Sequence, residues 1–505
     1  MSNVGVSKRT NAWVLGIGAT ILLAAFLVRL IGIDGRWMWF DELLSASYIT
    51  HDIPQTLLAN LRFDVHPPLY YLQLNLWSMF GDSDLWLMLN SVLWSVLAVA
   101  LLMWRVRRLY DLQTAWIAGV LLAFASAALF YGDQVRMYAF LMVVMLWAWI
   151  AMDDWLKADR NGRFPWKVSL NVIASQTAVV YSHSAGIVMI SGCVLYGAVE
   201  LLRAGDLRTR IYWLVSEACV GVLSLYALAL AAFRTTTHPV APGIDDFINT
   251  WRFLAAGELG PQAIGVVMGF VLLGALVWLG VTQRDKRVGI LTLVFAPLLA
   301  SGVVSYVKPI WLDRIFVPVV PFLCLYVALF GASLLKTKRI TAIAIAASVA
   351  ALWVGVGTWG QAVRHKGDGY KPAAAYVREI AKPGDTVLVD GDFSYWCFMW
   401  YFAGRHWGYP QEAIIILPKW QALADKVGPD MAHLLGFNEQ KRNVDVGGVN
   451  ALMWDREAPV AINTHTVLAV RGKAAEPLNL PGFTLADTHA EHDLLVETWR
   501  KAVAP

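Results

Sequence analysis

The chain has 505 residues, of which 58% are hydrophobic and only 15% are charged, and its mean hydropathy is +0.53. Soluble domains carry about 25% charged residues, so this composition excludes an ordinary soluble protein and indicates a polytopic membrane protein. The net charge of +4 is small and spread over loops, which argues against a nucleic-acid partner. Three of the four cysteines lie within apolar segments and Cys397 stands alone, so neither a disulfide framework nor a CxxC metal site is expected.

Apolar runs of spanning length recur along the first 360 residues and predict about eleven transmembrane helices. The first run has no small-residue cleavage site followed by polar sequence, so we expect a membrane anchor and not a cleaved signal. The predicted spans are 12–33, 86–104, 112–130, 137–152, 167–182, 184–202, 211–232, 263–281, 288–306, 316–335 and 340–358.

Basic residues occupy every second connection between these spans, all on the same side. Short basic loops stay in the cytoplasm, so the N-terminus is predicted to be cytoplasmic, and an odd number of spans puts the C-terminal part outside. The basic clusters are Lys8 and Arg9; Arg105, Arg107 and Arg108; Lys157, Arg160, Arg163 and Lys167; Arg203, Arg208 and Arg210; Arg284, Lys286 and Arg287; and Lys336, Lys338 and Arg339.

The opposite loops hold the unusual sequence. The first outer loop, 34–85, is too long for a simple connection and too amphipathic for disorder. Within it, Leu69 to Phe80 is apolar but short, which predicts a helix lying along the membrane surface. A second long outer loop, Phe233 to Gln262, contains prolines and adjacent acids and is predicted to act as a flexible lid.

The pattern changes near residue 360, and we predict a transmembrane domain over 1–359 followed by a soluble α/β domain over 360–505. About 140 residues are ample for an independent core. The expected elements are helices at 372–379 and near 395–402 and strands at 386–389, 413–417 and 466–470.

Asp41 and Glu42 follow four bulky apolar residues at the edge of the first span. Adjacent carboxylates in such surroundings are costly to desolvate and therefore suggest chemistry more than packing. The predicted topology gathers further ionisable residues at the same outer face. Together they could hold an anionic lipid headgroup and deprotonate a hydroxyl beside it. They are Arg29, Asp64, His66, Asp133, Arg136, His183, Lys308, Asp313 and Arg314.

An ordered set of motifs resembles the C-type glycosyltransferases, and within them the branch of the protein O-mannosyltransferases and the lipid A aminoarabinose transferase. The soluble part opens with a stretch that is also similar to bacterial members. The resemblance covers nearly the whole chain. The motifs are Phe40-Asp41-Glu42, His66-Pro67-Pro68-Leu69-Tyr70-Tyr71, Gln134-Val135-Arg136-Met137-Tyr138-Ala139, Lys308-Pro309, Arg314-Ile315-Phe316-Val317-Pro318, and Tyr370 to Val377 before Pro383-Gly384-Asp385.

The resemblance implies a polyprenyl-phosphate sugar as donor and a direct displacement that inverts the anomeric carbon. It implies Asp41 as the general base and Arg136, Lys308 and Arg314 as cations that hold the donor phosphate. Two positions depart from the family. The usual Ser-Gln-Glu-Ala-Arg run reads Gly132-Asp133-Gln134-Val135-Arg136, so no role passes to Asp133, and Met88 to Ser91 lacks a common arginine.

Each acidic or imidazole candidate has a structural alternative. Asp41 could instead be the N-cap of a following helix. Glu42 could contact substrate, orient the base, or be a solvated neighbour. His66 could cap the surface helix or donate a hydrogen bond to substrate, and His183 could line the site or bond at the membrane interface.

The cationic candidates also have structural alternatives. Arg136 could merely extend to lipid headgroups from the start of its span, but Tyr138 accompanies it in the family pattern and favours donor binding. Lys308 and Arg314 lie outside a span start, against the rule that positive charge stays inside, which favours an anionic ligand.

The sequence leaves the acceptor open between a lipid, a glycan and a protein, and it does not identify the sugar. The outer acids offer oxygen ligands for a divalent cation, although no spacing demands one. The expected location is the bacterial inner membrane, in contact with membrane lipids. The competing hypotheses are a transporter or lipid flippase and an inactive scaffold. Transporters place charges near the bilayer midplane between repeated halves, and neither feature is found here.

Overall fold

The computed structural model describes residues 3–50, 52–158, 163–233, 241–282, 288–337, 339–364, 369–404, 443–454 and 462–502. The chain divides into two compact units. Unit 1 contains Met1–Asp34 and Asp64–Arg364, and unit 2 contains Gly35–Phe63 and His365–Pro505. The predicted first outer loop is therefore split between the units after Phe63.

Helices dominate the chain. In order they are α1 (Asn3–Arg29), α2 (Phe40–Ser47), α3 (Ile53–Phe63), α4 (Leu69–Ser78), α5 (Asp84–Leu109), α6 (Leu112–Ala123), α7 (Ser126–Phe130), α8 (Tyr138–Lys157), α9 (Trp166–Ser182), α10 (Gly186–Met189), α11 (Ser191–Ala204), α12 (Leu207–Leu223), α13 (Leu225–Phe233), α14 (Ile244–Ala256), α15 (Gln262–Thr282), α16 (Val288–Val307), α17 (Val320–Lys336), α18 (Ile340–Ala362), α19 (Tyr370–Ile380) and α20 (Asp392–Phe402). Short 3₁₀ turns cover Tyr48–Thr50 and Asp313–Val319.

Helical structure covers each predicted span, which confirms the polytopic helical class. In the described part of the chain, five helical segments are long and apolar enough to cross a membrane, and α12 with α13 adds a sixth if that pair, bent by 52°, is one span. Four shorter apolar helices lie at Trp13–Arg29, Leu112–Ala123, Gln262–Trp278 and Leu291–Val307. The number of crossings stays a prediction.

Helix α8 is the central helix of unit 1, because nearly all of its side chains are buried. It packs against α5 and α9. At its far end, the Arg105 guanidinium of α5 contacts Asp153 and lies 2.8 Å from Asp154, while the Tyr196 hydroxyl donates to Asp153 at 2.8 Å. A buried charge needs such partners, so this network fixes the packing of α5, α8 and α11.

The turn between α7 and α8 is held just as firmly. Asp133 is 1% exposed; its carboxylate pairs with Arg364 and accepts a hydrogen bond from the Gln361 amide at 3.2 Å. A Cβ at Gly132 would lie 2.4 Å from the main-chain oxygen of Ala128, so only glycine fits there. The turn that delivers Arg136 to the start of α8 is therefore rigid.

Two other sequence predictions concern unit 1. Arg29, one of the ionisable residues that the predicted topology places at the outer face, is fully buried and donates to Ser95 Oγ at 2.7 Å and to the Ala123 oxygen at 3.1 Å. Part of the expected lid, 234–240, lies outside the described residues, and α14 occupies 244–256 and packs on α15.

The described residues of unit 2 form a six-stranded mixed sheet with strand order β2-β3-β1-β4-β6-β5. Strand β1 pairs in parallel with its neighbours β3 and β4, and the other strand pairs are antiparallel. The strands are β1 (Thr386–Asp390), β2 (Asn443–Val446), β3 (Val449–Trp454), β4 (Thr466–Gly472), β5 (Phe483–Glu491) and β6 (Leu494–Lys501).

The sheet forms because β1 is a buried apolar run, as expected of a strand covered on both faces. Helix α20 packs on this strand, and Leu388 joins a core with Val467 and Leu480. The predicted α/β domain is confirmed by these elements, including the helices expected near 372–379 and 395–402. The strand predicted at 413–417 falls outside the described residues.

Candidate functional site

The candidate site in unit 1 begins at the turn before α4. The Asp64 carboxylate accepts a hydrogen bond from the main-chain N–H of His66 at 2.7 Å. Two prolines follow, and α4 begins directly after them at Leu69. Proline suits this position because it pre-sets the backbone for the first helical turn. The orientation of His66 is therefore fixed by its neighbours in the chain.

Three segments meet at the His66 ring. Its Nδ1 lies 3.3 Å from the main-chain N–H of Ser184 and 3.1 Å from the Ser184 hydroxyl. Its Nε2 lies 3.4 Å from the Arg136 guanidinium. The ring of His183 stands 4.5 Å away, centroid to centroid. The structure thus brings together His66, Arg136 and His183, which are distant in sequence.

The hydrogen bonds assign the same tautomer to both histidines. Nδ1 of His183 accepts from the main-chain N–H of Ala185 at 2.9 Å, as Nδ1 of His66 accepts from Ser184. In a neutral imidazole the other nitrogen then carries the proton. The Nε2–H of His66 and the Arg136 guanidinium, 3.4 Å apart, are then both donors, and an acceptor such as an anion is the kind of group that both could bind.

Electrostatics adds Arg314 to this group. Burial, followed by His183, Arg136 and Arg314, holds the pKa of His66 well below its usual value of 6.5. Burial, followed by the same two arginines, lowers the pKa of His183 to about 3. Both imidazoles are therefore neutral at pH 7. Positive charge near both rings is supplied by Arg136 and Arg314, and this favours an anion.

Tyr138 forms a wall of the same cluster. It is 2% exposed, and its ring centroid lies 6.0 Å from that of His183 and 4.8 Å from that of Tyr131. The Tyr131 hydroxyl lies 3.4 Å from the Glu258 carboxylate. Aromatic rings at this spacing hold the His183 ring in place.

Lys308 is attached to a different element. Its ammonium donates a hydrogen bond to the main-chain oxygen of Ala231, near the C-terminal end of α13. A cation at a helix C-terminus satisfies carbonyl groups that the helix leaves without partners. The predicted role of Lys308 in holding a phosphate stays a prediction.

Of the other residues in this cluster, Asp64 was predicted only as one of the outer ionisable residues, Tyr71 only as part of a motif, and Ser184 was missed in the sequence. Tyr71 is fully buried; burial, then the neighbouring Asp64 carboxylate, raises the pKa of its phenol well above 10. Asp64 thus accepts a hydrogen bond from the His66 main chain and acts electrostatically on the Tyr71 phenol. Its spacing of two residues before His66, typical of an Asp side chain that accepts from the chain just ahead, was the available signal.

Asp41 and Glu42 belong to unit 2 and occupy the first turn of α2. Asp41 is half-buried, and the N-cap position is Trp39, so the N-cap interpretation of Asp41 was wrong. Glu42 is fully buried, which makes the solvated-neighbour interpretation wrong as well. Its carboxylate forms a bidentate pair with Arg36 at 2.6 and 2.7 Å.

Glu42 also caps α2, because it accepts a hydrogen bond from the main-chain N–H of Trp39 at 3.2 Å. A carboxylate at the third helical position commonly satisfies the helix start in this way. Arg36 was missed in the sequence, although a lone arginine six residues before a buried acid is a recognisable partner. Glu42 therefore orients the helix that carries Asp41.

No metal site is found among the residues that the structure describes: no group of three or more His, Cys, Asp or Glu side chains is arranged to hold an ion.

Solved structures provide the informative comparison. ArnT from Cupriavidus metallidurans in the apo state superposes with a TM-score of 0.59 at 13% identity, covering 97% of this chain and 98% of that one. ArnT bound to undecaprenyl phosphate gives 0.57 at 14% identity, with 97% and 98% coverage. The Archaeoglobus fulgidus oligosaccharyltransferase gives 0.50 at 10% identity, covering 84% of this chain and 69% of that one.

This chain has the C-type glycosyltransferase fold. No family model matches the sequence, and no curated protein matches it either. At such low identity the likeness shows the fold alone. It confirms the fold expected from the ordered motifs.

The neutral state of His183 in this C-type fold predicts how stability depends on pH. An unfolded histidine binds a proton near pH 6.5 and the folded one only near pH 3, so stability should be constant above about pH 6.5 and fall as the pH drops toward 3. Between about pH 7.5 and pH 5, His183 should account for a loss of about 2 kcal/mol.

The measurement is the apparent melting temperature in detergent at both pH values, compared with His183→Asn. Asparagine keeps an acceptor for the Ala185 N–H but does not titrate. The wild type should lose more than the variant on acidification. Equal losses would mean that His183 is not held neutral.

Proposed function

We propose that this protein is an integral-membrane glycosyltransferase that moves a sugar from a polyprenyl-phosphate donor to an acceptor hydroxyl. The observation that carries the proposal is the buried cluster of His66, Arg136 and His183, with Arg314 in electrostatic reach, in a chain of C-type glycosyltransferase fold. Two fixed N–H donors and two guanidinium groups suit a phosphate. ArnT, which has the same fold, has been solved with undecaprenyl phosphate bound.

In the proposed reaction, the acceptor oxygen attacks the anomeric carbon of the sugar while the bond from that carbon to the phosphate oxygen breaks. The proton of the acceptor hydroxyl passes to the Asp41 carboxylate. The sugar inverts, and the polyprenyl phosphate leaves with a second negative charge. Every atom is accounted for without a redox partner or a further co-substrate.

The leaving group and the nucleophile need different catalytic groups. A phosphate is a tolerable leaving group that needs its developing charge stabilised, which arginine does with two parallel donors. The acceptor hydroxyl is a poor nucleophile and needs a base. We assign Arg136 and Arg314, with Lys308 as a third cation, to the first task and Asp41 to the second.

His66, His183 and Tyr138 complete the proposed donor site in unit 1, and Glu42 accompanies the proposed base in unit 2. The Nε2–H groups of the two histidines would donate to phosphate oxygens without adding charge, and Tyr138 would keep the His183 ring in place. Glu42 would hold Asp41 through the helix start or contact the substrate. The acceptor is a lipid, a glycan or a protein.

We further propose that the protein lies in a bacterial inner membrane with residues 360–505 in the periplasm. The support is the alternation of basic loops together with the odd number of predicted spans. A phosphatase reporter fused after Pro505 should be active, and a reporter that works only in the cytoplasm should be silent. The opposite result would contradict the topology and the side on which the reaction is placed.

The test of the function is mass spectrometry of envelope lipids, glycans and secreted proteins from cells with and without the gene. We expect one class of molecules to lose a single sugar mass in the deletion strain and to regain it with the wild-type gene. Identical spectra in all three strains would contradict the proposal.

A further inference from the structure

The segment that leads into α2 is anchored residue by residue to the rest of unit 2. The Arg36 guanidinium donates hydrogen bonds to both carboxylate oxygens of Glu42. The Trp37 ring makes an edge contact with His492, at 4.8 Å between centroids. The main chain of Met38 is hydrogen-bonded to the Tyr401 hydroxyl. Three consecutive residues are thus fixed just ahead of Trp39, the N-cap of the helix that carries Asp41.

The contact of Tyr401 is the most specific of the three. The Met38 N–H donates to the Tyr401 hydroxyl oxygen at 3.0 Å, and the Tyr401 O–H reaches back to the Met38 carbonyl oxygen at 3.5 Å. Met38 is fully buried and Tyr401 is 8% exposed, so water does not readily replace these bonds. One phenol therefore holds both polar groups of one main-chain residue.

Tyr401 itself is tied to the core of unit 2. It lies in α20, which packs on β1 and β3 of the sheet and on α19. The Arg378 guanidinium of α19 donates to the Tyr401 main-chain oxygen, and the Lys371 ammonium lies 5.7 Å from its ring centroid. A rigid path therefore runs from the sheet through Tyr401 to Met38.

We propose that Tyr401 is a positioning residue for Asp41. This inference rests on the proposed function, because it assumes that Asp41 accepts the acceptor proton. Tyr401 touches no reacting atom; it sets the start of α2, and α2 sets the carboxylate. It gives the C-terminal part of the chain a role in the chemical step, 360 residues after the base in sequence.

The expected signature is a loss of turnover without a loss of donor binding. A displacement of about 1 Å in a reacting group can cost about a hundredfold in rate. Tyr401→Phe keeps the ring but removes both bonds to Met38. We expect kcat to fall about tenfold or more, with the KM for the donor within about twofold of wild type.

Tyr395→Phe is the matched control. Tyr395 lies in the same helix, is also buried, and its hydroxyl bonds to the main-chain oxygen of Ala451 in β3 at 3.4 Å. The same chemical change there should leave kcat near wild type. Hydrogen exchange over residues 36–43 should speed up in Tyr401→Phe and not in Tyr395→Phe.

The experiment uses the full-length protein in nanodiscs with a polyprenyl-phosphate sugar. If Tyr401→Phe does not fold, Arg378→Gln, which loosens Tyr401 through its main chain, should show the same direction. A Tyr401→Phe enzyme with near wild-type kcat, or one whose loss Tyr395→Phe shares, would overturn the inference alone. A wild type that transfers no sugar, or an active Asp41→Asn, would instead overturn the proposed function, and the inference with it.

Discussion

Replacing Asp41 with asparagine should abolish sugar transfer while the protein stays folded in the membrane. Asparagine keeps the size of the side chain but cannot accept the acceptor proton, so the rate should fall by about a hundredfold or more, as for the loss of a general base. Asp41 is half-buried in the first turn of α2, whose start is held by Arg36 and Glu42, so the shape of the site should survive.

The measurement is transfer by purified protein at saturating donor. Asp82→Asn is the matched control, because Asp82 is an exposed acid of the same predicted outer loop. It should retain activity. Near wild-type turnover of Asp41→Asn would remove the base from the proposed mechanism.

Loss of either arginine of the cluster should weaken donor use far more than acceptor use. A buried charge-assisted contact contributes about 1.5–3 kcal/mol, so Arg136→Ala and Arg314→Ala should each reduce donor utilisation by roughly ten- to a hundredfold. Arg314→Lys should retain only part of the wild-type donor utilisation, because a single ammonium replaces a guanidinium that can donate two parallel hydrogen bonds.

Arg107→Ala provides the comparison, since Arg107 is an exposed arginine at the end of α5. Its donor dependence should match that of the wild type. Lys308→Ala tests the third proposed cation and, with it, whether the Lys308 ammonium serves a ligand or only the end of α13. Normal donor dependence in both arginine variants would mean that the phosphate binds elsewhere.

The sequence predicted the fold because local patterns and ordered motifs were sufficient. Apolar runs gave the helices of unit 1, and a buried apolar run beside Pro383-Gly384 gave the central strand of unit 2. The order of the motifs gave the C-type fold, which the superposition on ArnT confirms. Neither inference required knowing which side chains touch.

Long-range pairs could not be predicted in the same way. Asp133 pairs with Arg364, 231 residues later, and Met38 bonds to Tyr401 across 363 residues. No periodicity or spacing encodes such contacts; they exist only once helices pack. The pair with Arg364 also gives Asp133, the displaced acid of the family run, a buried structural partner.

Only part of the candidate site could be predicted from the sequence. His66, Arg136 and His183 were selected by residue type and topology, and the structure brings them together. The neutral tautomers of the two histidines depend on the main-chain N–H groups of Ser184 and Ala185, which carry no sequence signature. The partner of Glu42 was equally hidden, because a buried ion pair is defined by packing.

The most direct measurement uses the purified protein in nanodiscs, a polyprenyl-phosphate sugar labelled on the sugar, and an envelope extract that supplies the acceptor. The account predicts that one polyprenyl phosphate is released for each labelled sugar that appears on an acceptor, and that Asp41→Asn releases neither. If the wild type leaves the donor intact, or moves the lipid across the bilayer without cleaving it, the protein is not the glycosyltransferase proposed here.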